Sequence, residues 1–157
     1  MQKVIIYTDG SSKGNPGPGG FAAIIVTEEK VIEIGGKEPQ TTNNRMEITA
    51  ALEALKHVPE NTEVEIHTDS EYLINSITKW VHGWIKNGWR TKNKKQVLNQ
   101  DLWEKLFIET EKREVKWTKV LGHSGHTFND RCDFIATSFA DGVKIKLYNG
   151  ARGSYMV

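Results

Sequence analysis

Hydrophobic and polar positions follow two periods along the chain, and the switches between them mark the elements. Residues 4–8 (VIIYT) are a short apolar run stopped by Asp9 and Gly10, which predicts a buried strand ending in a turn. Residues 10–20 (GSSKGNPGPGG) predict a loop, because glycine, serine and proline dominate them. Residues 21–26 and 31–34 predict two more strands around a short charged turn, so the chain opens as an antiparallel meander. Helical spacing over 43–57 aligns Met46, Ala50, Ala51, Ala54 and Leu55, and Pro59 ends it. Residues 64–68 alternate as a strand should and run into Asp69. Helical spacing returns over 70–79 through Leu73, Ile74 and Ile77, resumes over 80–86 and breaks at Gly88. Residues 101–110 predict an amphipathic helix, 115–120 a strand and 127–140 a last helix, with Thr127 and Asp130 at capping-box spacing. The order β-β-β-α-β-α-α-α-β-α predicts an α/β fold, a mixed sheet with helices on its faces. In the final 17 residues Val143, Ile145 and Leu147 alternate with Lys144 and Lys146, as a short extra strand or a loose tail.

Composition narrows the setting. A chain of 157 residues suits one domain with one core. Its hydrophobic share of 38% comes with no run near the roughly 20 apolar residues that cross a bilayer, so no membrane span is expected. Met1 leads directly into the first strand without the charged and apolar regions of an export leader. Cys132 is the single cysteine and has no internal disulfide partner, so a reducing cytoplasm is the expected location. The formal charge of +1 names no partner, but its distribution does. Residues 79–95 hold six Lys/Arg and no Asp/Glu, and the remainder carries 15 basic against 20 acidic residues. One concentrated basic segment on an otherwise acidic chain implies a polyanion partner.

Four carboxylates carry the candidate chemistry. Asp9 and Asp69 each follow an apolar strand, and parallel neighbouring strands would bring them side by side where α/β sheets bind ligands. Each is also of a type that starts turns or caps helices, which is the alternative reading, for Asp69 above all. Glu47 shifts the balance. Ala50, Ala51 and Ala54 share its face, so the carboxylate points where the helix should meet the sheet. Buried there it needs a cation. A salt bridge with Arg45 is the alternative, weakened because residues two apart on a helix do not face each other. Asp133 lies one turn into the last helix with Ala136, Thr137 and Ala140 on its face; Asp130 suits a cap and dipole partner at the helix start, a role that is also the alternative reading of Asp133.

Convergent carboxylates repel each other, and hard divalent cations such as Mg²⁺ remove that repulsion. Two such ions about 4 Å apart are the usual device for hydrolysing a phosphodiester. Zinc is disfavoured, since His123 and His126 have no cysteine or further histidine at ligand spacing. His123, between glycines in the loop before the last helix, has the chemistry to move a proton near a reacting phosphate. A solvent-exposed loop histidine is its alternative reading. Trp80, Trp84 and Trp89 recur among the basic residues of 79–95, a combination of aromatic faces and cations suited to nucleic acid. Tryptophans at helical spacing also fill cores, so Trp80 or Trp84 is expected to be partly buried. Asn43 and Asn44 read either as donors to base edges and 2′-hydroxyls or as caps. Gly10 and Ser11 follow the first Asp and offer backbone groups to a sugar or phosphate.

Seven ordered motifs resemble bacterial ribonuclease HI along residues 3 to about 140. They are Tyr7-Thr8-Asp9-Gly10-Ser11, Gly14-Asn15-Pro16-Gly17-Pro18-Gly19-Gly20, Thr41-Thr42-Asn43-Asn44-Arg45-Met46-Glu47 and Thr68-Asp69-Ser70, followed by Trp80-Val81-His82-Gly83-Trp84, Gly122-His123-Ser124-Gly125-His126 and Asn129-Asp130-Arg131-Cys132-Asp133. The resemblance implies a ribonuclease H-like fold, with a five-stranded mixed sheet flanked by helices. It implies an endonuclease that cuts the RNA strand of RNA–DNA hybrids with two Mg²⁺ ions, Mn²⁺ being an alternative, and leaves 5′-phosphate and 3′-hydroxyl ends. Asp9, Glu47, Asp69 and Asp133 would be the metal ligands and His123 the loop histidine that assists proton transfer or product release. Asn15, Asn43 and Asn44 would meet the minor groove, Thr42 and Asn99 a DNA phosphate, and Trp80, Trp84 and the basic segment the DNA strand. Glu71 stands where the family often has a neutral side chain contacting the substrate, Leu121 replaces a common Lys or Pro, and Phe134-Ile135 replaces an acidic-Leu pair. A monomeric catalytic domain over 1–140 with a tail over 141–157 is expected. Two rivals share the signal: a junction resolvase, integrase or transposase core on the same fold, and a non-catalytic nucleic-acid-binding module. The tryptophan-bearing basic segment and Asn43-Asn44 speak against the first, and the complete acidic set against the second.

Overall fold

The computed structural model describes residues 3–121 and 127–155. Strands β1 (Lys3–Ser12), β2 (Gly17–Val26) and β3 (Lys30–Thr41) form the expected antiparallel meander, with Ile6 opposite Ile25 and Ile25 opposite Ile32. The second and third strands run well beyond the apolar segments that announce them. Helix α1 (Asn43–Leu55) crosses to β4 (Glu63–Thr68), which lies parallel to β1. Next come α2 (Glu71–Asn75), a single wide turn over Ser76–Trp80, α3 (Val81–Lys86) and α4 (Gln100–Glu111). Strand β5 (Glu114–Lys119) pairs parallel to β4, and α5 (Thr127–Ala140) follows.

The sheet has six strands, not the expected five, in the order β5-β4-β1-β2-β3-β6. The extra strand, β6 (Asn149–Ala151), comes from the tail and pairs antiparallel with the outer edge of β3. The alternation of Val143, Ile145 and Leu147 does not form it. Ile145 and Leu147 instead pack on the α5 side of the sheet, while Val143 stays exposed.

Helices cover both faces, which explains why β2 is buried along nearly its whole length. Ala23 and Ile25 face a core made with α1, α4 and β4, including Ile48, Leu55, Ile66, Trp103 and Leu106. Ala22, Ile24 and Val26 face a second cluster with Cys132, Ile135 and Ala136 of α5. Close packing there depends on Gly20, where a Cβ would stand 2.3 Å from the Ala136 carbonyl oxygen. The tail closes this face around Glu33. Its carboxylate accepts from Arg131 Nε at 2.7 Å and Nη2 at 3.0 Å, from the Tyr155 hydroxyl at 2.7 Å and from the Tyr148 N–H at 2.9 Å.

Candidate active site

Register brings Asp9 and Asp69 together. Tyr7 pairs with His67 in the parallel β1–β4 ladder, and each aspartate lies two residues further on. Asp69 is not the cap of the helix behind it, because the Ser70 hydroxyl takes that role by accepting from the Leu73 N–H at 3.1 Å. Glu47 arrives from α1, which Ala50, Ala51 and Ala54, all fully buried, let lie close to the sheet. Gly10 sets the final approach: a Cβ there would stand 2.5 Å from the Glu47 backbone nitrogen. Carboxylate oxygens of Asp9, Glu47 and Asp69 lie within 4.8 Å of one another. Asp133, on an exposed position of α5, joins Asp9, Gly10, Ser11, Asn43, Glu47, Asp69 and Ser70 in lining one open cleft.

Burial and like charges dominate the electrostatics of the cluster. Glu47 is 4% exposed and its Oε2 has no hydrogen-bond partner among the described residues. Burial first, then the charges of Asp9 and Asp69, push its carboxyl well above the ordinary value. Burial and then Asp69 push Asp9 up to about 7, against hydrogen bonds from Glu47 and the Gly10 N–H, the latter at 2.8 Å. Arg45 does not help: it makes a two-pronged pair with Asp101, at 2.8 and 3.1 Å. An orphaned buried oxygen amid three convergent carboxylates fits a hard divalent cation. Asp9 and Asp69 also line a small cavity of about 70 Å³, with Thr8, Asn129, Asp130 and Asp133 among others. Sequence reasoning missed Thr8, Ser70 and Asn129 as site residues. The hydroxyl of Thr8 and the amide nitrogen of Asn129 are also unpartnered among the described residues. Their signal was adjacency to a carboxylate motif.

The surrounding residues divide into free and engaged groups. Asn43 and Asn44 are exposed and neither caps α1, since the Thr42 hydroxyl accepts from the Arg45 N–H at 3.2 Å. Asn15 ties the glycine-rich loop to α1, accepting from the Asn43 N–H at 2.9 Å. Asn99 holds a left-handed backbone with φ 64°, accepts from Arg45 at 3.2 Å and donates to the Tyr72 hydroxyl at 3.2 Å. Glu71 pairs with Lys119 at 2.7 Å. Trp80 is 46% exposed, whereas Trp84 is half-buried with its ring 6.0 Å from Trp103 in the core. Lys79, Lys86, Arg90, Lys92, Lys94 and Lys95 are all exposed. The expectations for His123 and His126 fall on residues 122–126 and lie outside the described residues.

Carboxylates converging at the carboxyl ends of parallel strands in a mixed sheet define an α/β nuclease of the ribonuclease H-like class. The RNase H family model matches residues 1–141, and the chain belongs to that family, in its bacterial type 1 branch. It is 50% identical over 140 residues to the ribonuclease H of Solibacter usitatus, covering 89% of this chain and 96% of that one. The ribonuclease H of Pseudoalteromonas atlantica is 45% identical over 153 residues, 98% of this chain and all of its own (100%). Among solved structures, LC9-RNase H1, a type 1 RNase H with the type 2 active-site motif, superimposes with a TM-score of 0.81 at 30% identity, covering 96% of this chain and 78% of that one. LC11-RNase H1 in complex with an RNA/DNA hybrid shares the fold, with a TM-score of 0.66 at 23% identity over 88% of this chain and 97% of that one. The chain is thus a hydrolytic nuclease of the ribonuclease H type.

Proposed function

We propose that the chain cuts the RNA strand of RNA–DNA hybrids at Asp9, Glu47, Asp69 and Asp133, using two Mg²⁺ ions or, as an alternative, Mn²⁺. The observation that carries this reading is the buried, unpartnered Glu47 oxygen facing Asp9 and Asp69. When bound, the ions supply an activated water and stabilise the leaving oxygen. Asp9 and Glu47, anchored on β1 and α1, give the deep floor of the site, and Asp69 and Asp133 its exposed rim. Gly10 and Ser11 hold backbone groups against the cleaved strand, and Asn15, Asn43 and Asn44 meet the minor groove beside it. Thr42 and Asn99 hold a DNA phosphate, and Trp80, Trp84 and the basic segment grip the DNA strand. Glu71 meets the substrate at the cleft's lip. His123 moves a proton to or from the reacting phosphate.

Residues 1–140 act as the catalytic domain and 141–157 as a tail packed on it. The enzyme works as a monomer in the cytoplasm, in keeping with a single cysteine that is buried. No helix among the described residues is long and apolar enough to cross a membrane. The test is cleavage of hybrid, duplex DNA and four-way junction side by side, with end-group analysis. The expected result is cutting of RNA only, within ribonucleotide stretches, leaving 5′-phosphate and 3′-hydroxyl ends. A 2′,3′-cyclic phosphate would show that the sugar attacked and would remove the two-metal reading.

A further inference from the structure

This inference deepens the hybrid-cleavage reading and rests on it. Asp69 and Ser70 line the open cleft, and Glu71, the next residue in the chain, begins α2 with its side chain 70% exposed. A polyanionic substrate entering the cleft meets that carboxylate, which opposes its phosphates. The local helix does not require the charge, because Ser70 already caps the five-residue α2. Lys119 answers it from a different strand. It ends β5, level with Thr68 in the parallel ladder, and its Nζ lies 2.7 Å from Glu71 Oε1. The pair therefore forms directly beside Asp69 and Ser70, which line the cleft.

We propose that Lys119 is a specificity-determining residue that neutralises Glu71, so that this carboxylate serves as a hydrogen-bond acceptor for sugar hydroxyls instead of repelling the phosphates between them. A carboxylate only accepts, and a 2′-hydroxyl has a proton to donate, so the pair favours a ribose-bearing strand once its charge is cancelled. The cancellation matters most at low ionic strength, where exposed charges are least screened.

A double-mutant cycle on hybrid cleavage tests this, with circular dichroism confirming that each variant folds. Lys119→Met should raise KM roughly threefold to tenfold at low salt and leave kcat unchanged, the size expected of one unscreened charge near a phosphate. In the Glu71→Gln background the same substitution should move KM by less than about twofold, because no charge remains to cancel. Lys119→Arg keeps the charge and should stay close to wild type. Equal increases in both backgrounds would mean that Lys119 grips the substrate directly, and no increase in either would mean that the pair is idle. Each of these overturns the proposal. A folded wild type that does not cut hybrid overturns the underlying reading instead.

Discussion

Glu33 and Glu47 are each 4% exposed and belong to opposite faces of one sheet, yet their surroundings are opposite in kind. Glu33 receives four hydrogen bonds, two of them from Arg131. Burial alone would raise its carboxyl, but Arg131, then Tyr155 and the Tyr148 N–H, hold it below the ordinary value. Glu47 has neighbours of its own sign and an oxygen with no partner among the described residues, and its carboxyl is driven upward. A fold able to satisfy one buried carboxylate so fully leaves the other with an oxygen unpartnered among the described residues. Saturated polar burial marks stability here, and unsaturated polar burial marks function.

The largest effect that follows is catalytic. Asp69→Asn removes a charge and almost no volume, so hybrid cleavage should fall to background while hybrid binding persists, read by gel shift and turnover on one preparation. Activity near wild type would contradict the assignment. Next is stability on the Glu33 side. Glu33→Ala leaves Arg131 part-buried without its partner and should cost roughly 3–5 kcal/mol in denaturant unfolding. By contrast, Glu47→Gln should stabilise the metal-free protein by about 1 kcal/mol, because it relieves repulsion.

Smaller effects come from charge and pH. Neutralising Lys92, Lys94 and Lys95 together should raise KM and flatten the slope of log KM against log salt by up to about 2.7, or about 0.9 for each phosphate that is no longer neutralised. An unchanged slope would remove the basic segment from the interface. In metal-free protein, Asp9 has a folded value of about 7 against 3.8 when unfolded, so the folded state binds protons more tightly in between. Stability should therefore fall as pH rises from about 4 to about 7 and level off above, where the unfavourable charge is fully present. Melting temperatures across that range with chelator check the sign, and added Mg²⁺ should suppress the trend.

The acidic site was legible because its signals are local. Two strands end in the same Asp, and an alanine face around Glu47 shows a carboxylate pointing inward. The Glu33 side was not legible. Glu33 lies between Ile32 and Ile34 like an ordinary outward-facing residue, and its partners Arg131 and Tyr155 are 98 and 122 residues away. The sixth strand was hidden for the same reason: three residues of tail pair with β3, whereas the visible apolar alternation packs elsewhere. Trp80 and Trp84 share a spacing in sequence but not an environment, because Trp103 recruits only Trp84 into the core.

The most direct test of the account is calorimetric titration of metal-free wild type and Asp69→Asn with Mg²⁺ at a pH of about 6.5, just below the Asp9 value, in buffers of different ionisation enthalpy. The account predicts saturable binding by the wild type with proton release, since burial and the neighbouring Asp69 charge hold Asp9 up to about 7, so that much of it carries a proton that the cation displaces. It predicts no such binding by Asp69→Asn over the same range. Wild-type protein that fails to saturate, or Asp69→Asn that binds equally well, would contradict it.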